Sequence, residues 1–208
     1  MKNCILVIVM FTFLAGSCVN KKSDNENVET TVTNNHEEEF VKINATDIPD
    51  NVIKLISQDW MLITSGNKES FNTMTASWGA LGEIWGKDAS FIMVRDSRYT
   101  YEFLEENDYY TLSFFSENYR DALQLCGTKS GRDTDKVKES GLTSLELESG
   151  TMAFEEARLI IECRKLYSEP FKKESFTDDE LFEKIYNEDD NSIHTLYIGE
   201  ITNVWIKN

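Results

Sequence analysis

Three short segments carry residue types suited to holding a polar or anionic ligand. The first is Asn72-Thr73-Met74-Thr75-Ala76-Ser77-Trp78. In an extended strand, side chains two apart share a face, so Thr73, Thr75 and Ser77 would present three hydroxyls in a row. Such a row, flanked by the strand's own N–H and C=O groups, can meet the edge of a heteroaromatic ring. The same pattern also describes a threonine-rich edge strand that faces water. The second segment is Arg95-Asp96-Ser97-Arg98-Tyr99-Thr100, immediately ahead of a helix start. A helix N-terminus offers free N–H groups and a positive dipole end, and arginine adds a fork matched to phosphate. A surface helix cap with salt bridges is the plainer alternative. The third is Lys129-Ser130-Gly131-Arg132-Asp133-Thr134-Asp135-Lys136. Gly131 would let backbone approach a ligand closely, while Ser130, Arg132 and Lys136 are donors; a solvated inter-helix loop fits too. Each segment alone is a weak signal, and together they favour one site for a ring and an anionic group.

Other chemistries find less support. His194 stands alone at the start of the last strand, and His36 sits in a polar stretch. With two histidines and no CxxC spacing, a zinc site is not expected. Cys126 and Cys163 read as buried thiols, with a disulfide between them left open. The nucleophile-elbow pattern GxSxG, the GxGxxG fingerprint and the P-loop are all missing from the sequence. The net charge of −16 argues against a nucleic-acid partner, which needs a basic footprint. In so acidic a chain, any phosphate must be held by a local cluster of donors against the overall field.

The elements that must position these segments are mostly strands. Residues 60–64, 71–78, 90–95, 109–115, 158–167 and 194–206 show period-2 patterning, which predicts an antiparallel barrel or sandwich. A Ser65-Gly66-Asn67 turn separates the first two. Short helices are expected from Thr100 through Asn107, from Ser116 to a stop at Gly127, and from Asp133 or Thr134 to Gly141. A last one follows the capping box Thr177-Asp178-Asp179-Glu180. The length of 208 residues suits one domain with appendages.

The N-terminus reads as an address followed by a tether. Lys2, the apolar run Ile5 to Leu14 and Ala15-Gly16-Ser17 before Cys18 form a secretory signal, too short to span a bilayer. Small residues directly before a cysteine resemble the lipobox of bacterial lipoproteins. That resemblance implies lipidation of Cys18, export, and attachment to a membrane on the periplasmic side or at the cell surface. Residues 19–46 are polar and read as a flexible tether, with the folded domain over 47–208.

The folded part resembles the flavin reductase-like family, especially its flavoredoxin branch. The resemblance rests on FNTMTASWGALGEIWGK (71–87), VRDSRYTYEFLEEN (94–107), FFSENYRDALQLCGTKSGRDTDKVKESGLT (114–143), FEEARLIIECRKLY (154–167) and HTLYIGEI (194–201). It implies a mainly β fold with short helices, a Greek-key split β-barrel that binds FMN, as a homodimer. It implies that Asn72, Thr73, Met74, Thr75, Ala76, Ser77 and Trp78 line the ring system and ribityl chain. Arg95, Ser97, Arg98 and Thr100 would cluster near the phosphate, and the loop with Ser130 and Lys136 would close over the flavin. His194 matches a histidine that assists nicotinamide binding in reductase members. The implied function is oxidoreduction or electron transfer through FMN, with donor and acceptor unidentified. A non-enzymatic flavin-binding or scavenging lipoprotein is the alternative. Export sets this chain apart, because NAD(P)H is a cytoplasmic pool.

Overall fold

A computed structural model describes residues 39–186 and 192–208. The signal segment 1–18 with Cys18, most of the expected tether with His36, and the acidic run Glu188-Asp189-Asp190 lie outside the described residues. Ten strands occur among those described: β1 (Phe40–Ile43), β2 (Met61–Asn67), β3 (Ser70–Ala76), β4 (Gly79–Ile84), β5 (Lys87–Arg95), β6 (Tyr109–Phe114), β7 (Ser144–Glu146), β8 (Met152–Phe154), β9 (Leu159–Pro170) and β10 (His194–Lys207). Eight form one antiparallel sheet in the order β3-β2-β6-β9-β10-β5-β4, with β1 paired to β10 and β7-β8 a separate hairpin. The sheet is not closed, as befits a split barrel.

Alternation along the strands explains the curl. Met61 and Ile63 of β2, Ile92 and Val94 of β5, Tyr110, Leu112 and Phe114 of β6 and Tyr197 of β10 enter one buried cluster, although β2 and β5 are not sheet neighbours. The opposite faces of β2 and β9 supply Leu62 and Ile160 to a second cluster, closed by Leu123, Cys126 and Phe154. Gly199 allows a close crossing inside: a Cβ there would meet the Tyr110 hydroxyl at 2.3 Å. That hydroxyl lies 2.7 Å from Ser90 Oγ, which in turn donates to Cys163 Sγ at 3.1 Å. Cys126 and Cys163 are both buried free thiols, and burial pushes Cys163 up to about 12.

The helices are α1 (Val52–Lys54, running on as a π-helical turn over Leu55–Asp59), α2 (Tyr99–Glu106), α3 (Arg120–Thr128), α4 (Lys136–Ser140) and α5 (Asp179–Ile185). Several boundaries differ from expectation for local reasons. Ser65-Gly66-Asn67 continues β2 rather than turning; the reversal falls at Lys68 and Glu69, where Asn67 Oδ1 accepts from the Glu69 and Ser70 amides. Gly127 lies inside α3 instead of ending it. Its missing side chain makes room for Thr75, whose Cβ would sit 3.2 Å from an added Cβ. Arg98, not Thr100, holds the N-cap position of α2, and Thr100 is buried in its first turn. Asp135 caps α4 by accepting from the Lys138 amide, and Gly141 ends it at φ 71°. Asp178 rather than Thr177 caps α5.

The tether expected over 19–46 does not reach residue 46. Phe40–Ile43 pairs with Val204–Lys207 of β10, an edge that β5 leaves open because it pairs only with residues 194–200. Phe40 is buried, and its ring carries the Lys207 ammonium at 5.7 Å. Three apolar residues, Phe40, Val41 and Ile43, and an unpaired strand edge order a stretch that composition alone marks as polar.

Candidate functional site

Strand β3 positions the first candidate segment, but its hydroxyls are engaged by the protein. Thr73 is buried, with Oγ1 2.9 Å from Thr64 Oγ1 and donating to Ile63 O at 3.3 Å. Thr75 donates to the Leu123 carbonyl of α3. The expectation of three hydroxyls free for a ligand is therefore corrected: neighbouring backbone carbonyls take up two of them. Asn72 is buried and donates to Thr100 Oγ1 at 2.7 Å, fastening β3 to α2.

Beyond Thr73 the strand opens onto a cavity of about 270 Å³. Met74, Thr75, Ala76, Ser77 and Trp78 form one wall, Met93 and Arg95 of β5 another, and Arg98, Gly127 and His194 complete it. Antiparallel pairing of β5 with β10 sets His194 opposite Arg95. His194 stands between two rings, 5.3 Å from Trp78 and 5.6 Å from Tyr186 between centroids. Its Nδ1 lies 2.9 Å from the Tyr186 hydroxyl. Arg95 reaches back over the Tyr186 ring and donates to Ile185 O at 2.7 Å. The stretch ending in α5 thus props the cavity mouth, where Trp78 is half exposed.

A second cavity of about 230 Å³ shares Met74 and Arg98 with the first. Ser97, Tyr99 and Thr100 from the start of α2 line it, facing Thr128, Lys129, Ser130 and Lys136. Ser97 Oγ is held 2.9 Å from Ser192 Oγ, which also contacts Asp96. Arg98 donates to Gly127 O at 2.8 Å. Lys136, only 6% exposed, donates to Thr73 O at 2.8 Å and Cys126 O at 3.0 Å. Both cations therefore meet the C-terminal carbonyls of α3, a favourable end for positive charge. Among the described residues neither has a carboxylate within salt-bridge reach. Burial lowers the Lys136 ammonium to about 8, with Arg98's charge adding to the fall and Cys126 opposing it. Burial, then Arg95, lowers the Arg98 guanidinium. Two desolvated cations beside a helix N-terminus make a site that an anion would neutralise.

The three segments therefore converge, though not completely. Met74 through Trp78, Arg95, Ser97, Arg98, Thr100, Ser130 and Lys136 line the two adjoining cavities; Asn72 and Thr73 instead line an outer one of about 470 Å³, which Tyr99 and Lys136 border as well. Sequence reasoning missed Met93, Gly127, Tyr99, Thr128 and Lys129 as lining residues, and Tyr186 as a prop. Met93 carried a usable signal, since it shares a strand face with Arg95. The α3 terminus carried none, because it contributes backbone rather than distinctive side chains.

Residues 53–208 match the family model described as flavin reductase like domain. The fold is similar to that of the FMN-binding domain of a flavin reductases-like enzyme from Shewanella baltica OS155, at 13% identity and TM-score 0.58 over 80% of this chain and 76% of that one. Flavoredoxin of Desulfovibrio vulgaris (Miyazaki F) is similar at 22% identity and TM-score 0.55, covering 71% and 68%. An FMN-binding protein from Thermus thermophilus with bound 1-cyclohex-2-enone gives 20% and 0.54, covering 71% and 69%. No curated protein matches the sequence.

Proposed function

The chain belongs to the flavin reductase-like family of flavin-related oxidoreductases, and from that premise we propose that its two joined cavities hold one FMN per subunit and pass electrons through it. The observation that carries this reading is the pair of Arg98, half-buried, and Lys136, buried, neither with a carboxylate partner among the described residues, beside the start of α2. A single phosphate neutralises both. The larger compartment, walled by Met74, Met93 and Trp78, suits a flat ring joined to that phosphate by a short chain. The residues present thus fit FMN.

When bound, FMN supplies the electron transfer. The chain's residues do the rest. Arg98 and Lys136 would hold the anionic end, the chain from Met74 to Trp78 would border the ring, and Arg95 is steadied against the Tyr186 ring at the cavity wall. His194 and Trp78 form the entrance that a partner molecule must approach.

We further propose that the domain is exported and held at a membrane by lipid on Cys18, supported by the apolar run and the small residues before it. More than one acyl chain is needed for stable attachment. The mature chain is then expected to begin at a modified Cys18; an unmodified Cys18 in the mass spectrum of membrane-extracted protein would refute this.

The same proposal bears on the electron donor. An exported protein does not meet the cytoplasmic NAD(P)H pool, and His194 already bonds Tyr186 and packs between two rings. Anaerobic stopped-flow reduction by NAD(P)H is expected to be slow in the wild type and little changed in His194→Ala, with FMN still bound. Fast wild-type reduction that collapses in the mutant would restore an ordinary reductase role for His194.

A further inference from the structure

Between the phosphate cavity and the outer cavity stands a thin partition. On one side Asn72 is fastened to Thr100 of α2 by the 2.7 Å hydrogen bond. On the other, the loop at Gly131 presses against Asn72 and Tyr99: a Cβ on Gly131 would lie 2.0 Å from Asn72 Oδ1 and 3.1 Å from Tyr99 Cδ1. Only glycine permits that approach. The loop is also clamped from outside. Arg132 lays its guanidinium 4.7 Å from the Tyr99 ring centre, donates to Ser97 O at 3.3 Å and pairs with Glu102. Within the loop, Ser130 O accepts from the Asp133 and Thr134 amides, and Lys129 and Thr134 both bond Glu139. The loop is thus a clasp, anchored on α2 at one side and on α4 at the other.

We propose that this clasp makes the flavin site selective for a mononucleotide: it walls off the phosphate cavity so that FMN is accepted and the dinucleotide FAD is rejected. The inference rests on the flavin-binding reading of the joined cavities. A terminal phosphate monoester ends at Arg98 and Lys136. The diphosphate of FAD must continue past them, and the space that could receive an adenosine, the outer cavity with Phe71 and Phe103 in its lining, lies behind the Gly131–Asn72–Thr100 partition, which Tyr99 and Lys136 complete by lining both cavities. An FAD would have to open the clasp, giving up the Arg132 contacts on α2, or leave its second half in water without added contacts. Either route costs affinity relative to FMN.

The test measures dissociation constants of riboflavin, FMN and FAD by flavin fluorescence quenching for the full folded chain and two variants. Wild type is expected to bind FMN at least about tenfold more tightly than FAD, about 1.4 kcal/mol. Arg132→Ala removes an exposed clamp, and Gly131→Ala blocks closure against Asn72. Each is expected to shrink the FMN-to-FAD ratio by several-fold while riboflavin affinity holds, showing that the ring compartment is intact. A wild-type ratio near one, or a ratio that neither variant moves, would overturn the inference while leaving the flavin site standing. Wild type that binds none of the three would bring down the flavin reading, and this inference with it.

Discussion

Arg98→Ala is expected to weaken FMN binding by about tenfold to a hundredfold while leaving riboflavin almost unaffected. Hydrogen bonds to charged groups are worth roughly 1.5–3 kcal/mol, and a desolvated guanidinium facing a phosphate belongs at the upper end. The two flavins share the ring and ribityl chain and differ only in the phosphate, so their ratio isolates the contact at issue. The comparison is needed because Arg98 also donates to Gly127 O and so helps to end α3. If that second role dominated, α3 would shift, the ring compartment bordered by Gly127 would deform, and both ligands would lose affinity together. Equal losses in titrations of FMN and riboflavin would therefore mark Arg98 as a structural cap.

The second large effect is a pH dependence. Lys136 is pushed down to about 8 by burial, so in the empty domain it loses its proton within the accessible range. A bound phosphate would hold that proton. FMN affinity is accordingly expected to stay flat up to about pH 7 and fall about tenfold by pH 9, as the charged fraction of Lys136 drops. The sign for stability runs the other way. Without ligand, the unfolded chain keeps its lysine protons up to about 10.5, whereas the folded domain releases this one near 8. The burial penalty is thus fully felt below pH 8 and relieved between about 8 and 10.5, where this group makes the empty domain more stable as pH rises. Lys136→Arg keeps a charge throughout and should flatten the FMN profile. The same fall in that variant, or an equal fall for riboflavin, would show that Lys136 is not the titrating group.

How much of this was legible in the sequence depends on which force decided each element. SFIMVR at 90–95 and YYTLSFF at 109–115 read correctly because alternation is a local record of a half-buried strand, and both lie in the main sheet. Strand β4, with the sequence GALGEI, did not read as a strand. Its glycines have no side chain to alternate; Gly79 is there because a Cβ would sit 2.7 Å from Phe91 O of the paired strand. β1 was invisible for a related reason, since what orders it is an edge of β10 more than 160 residues further along the chain. In the site, donor types were legible and their use was not. Thr73 and Thr75 both looked available, yet the Ile63 and Leu123 carbonyls take their hydroxyl protons. Lys136 looked like a loop lysine, and only the fold reveals that it reaches under β3 and α3 to two backbone carbonyls. Tyr186, which steadies both His194 and Arg95, lies in a segment whose pattern suggested nothing beyond a capped helix.

The measurement that bears most directly on the central claim is the visible absorbance spectrum of the purified folded domain after reconstitution with FMN and removal of the excess. A yellow protein is expected, carrying close to one FMN per subunit, whose flavin bands bleach under anaerobic reduction and return with oxidant. A domain that remains colourless after careful reconstitution would contradict this, and would leave a buried Lys136 and a half-buried Arg98, without carboxylate partners among the described residues, to be explained by the fold alone.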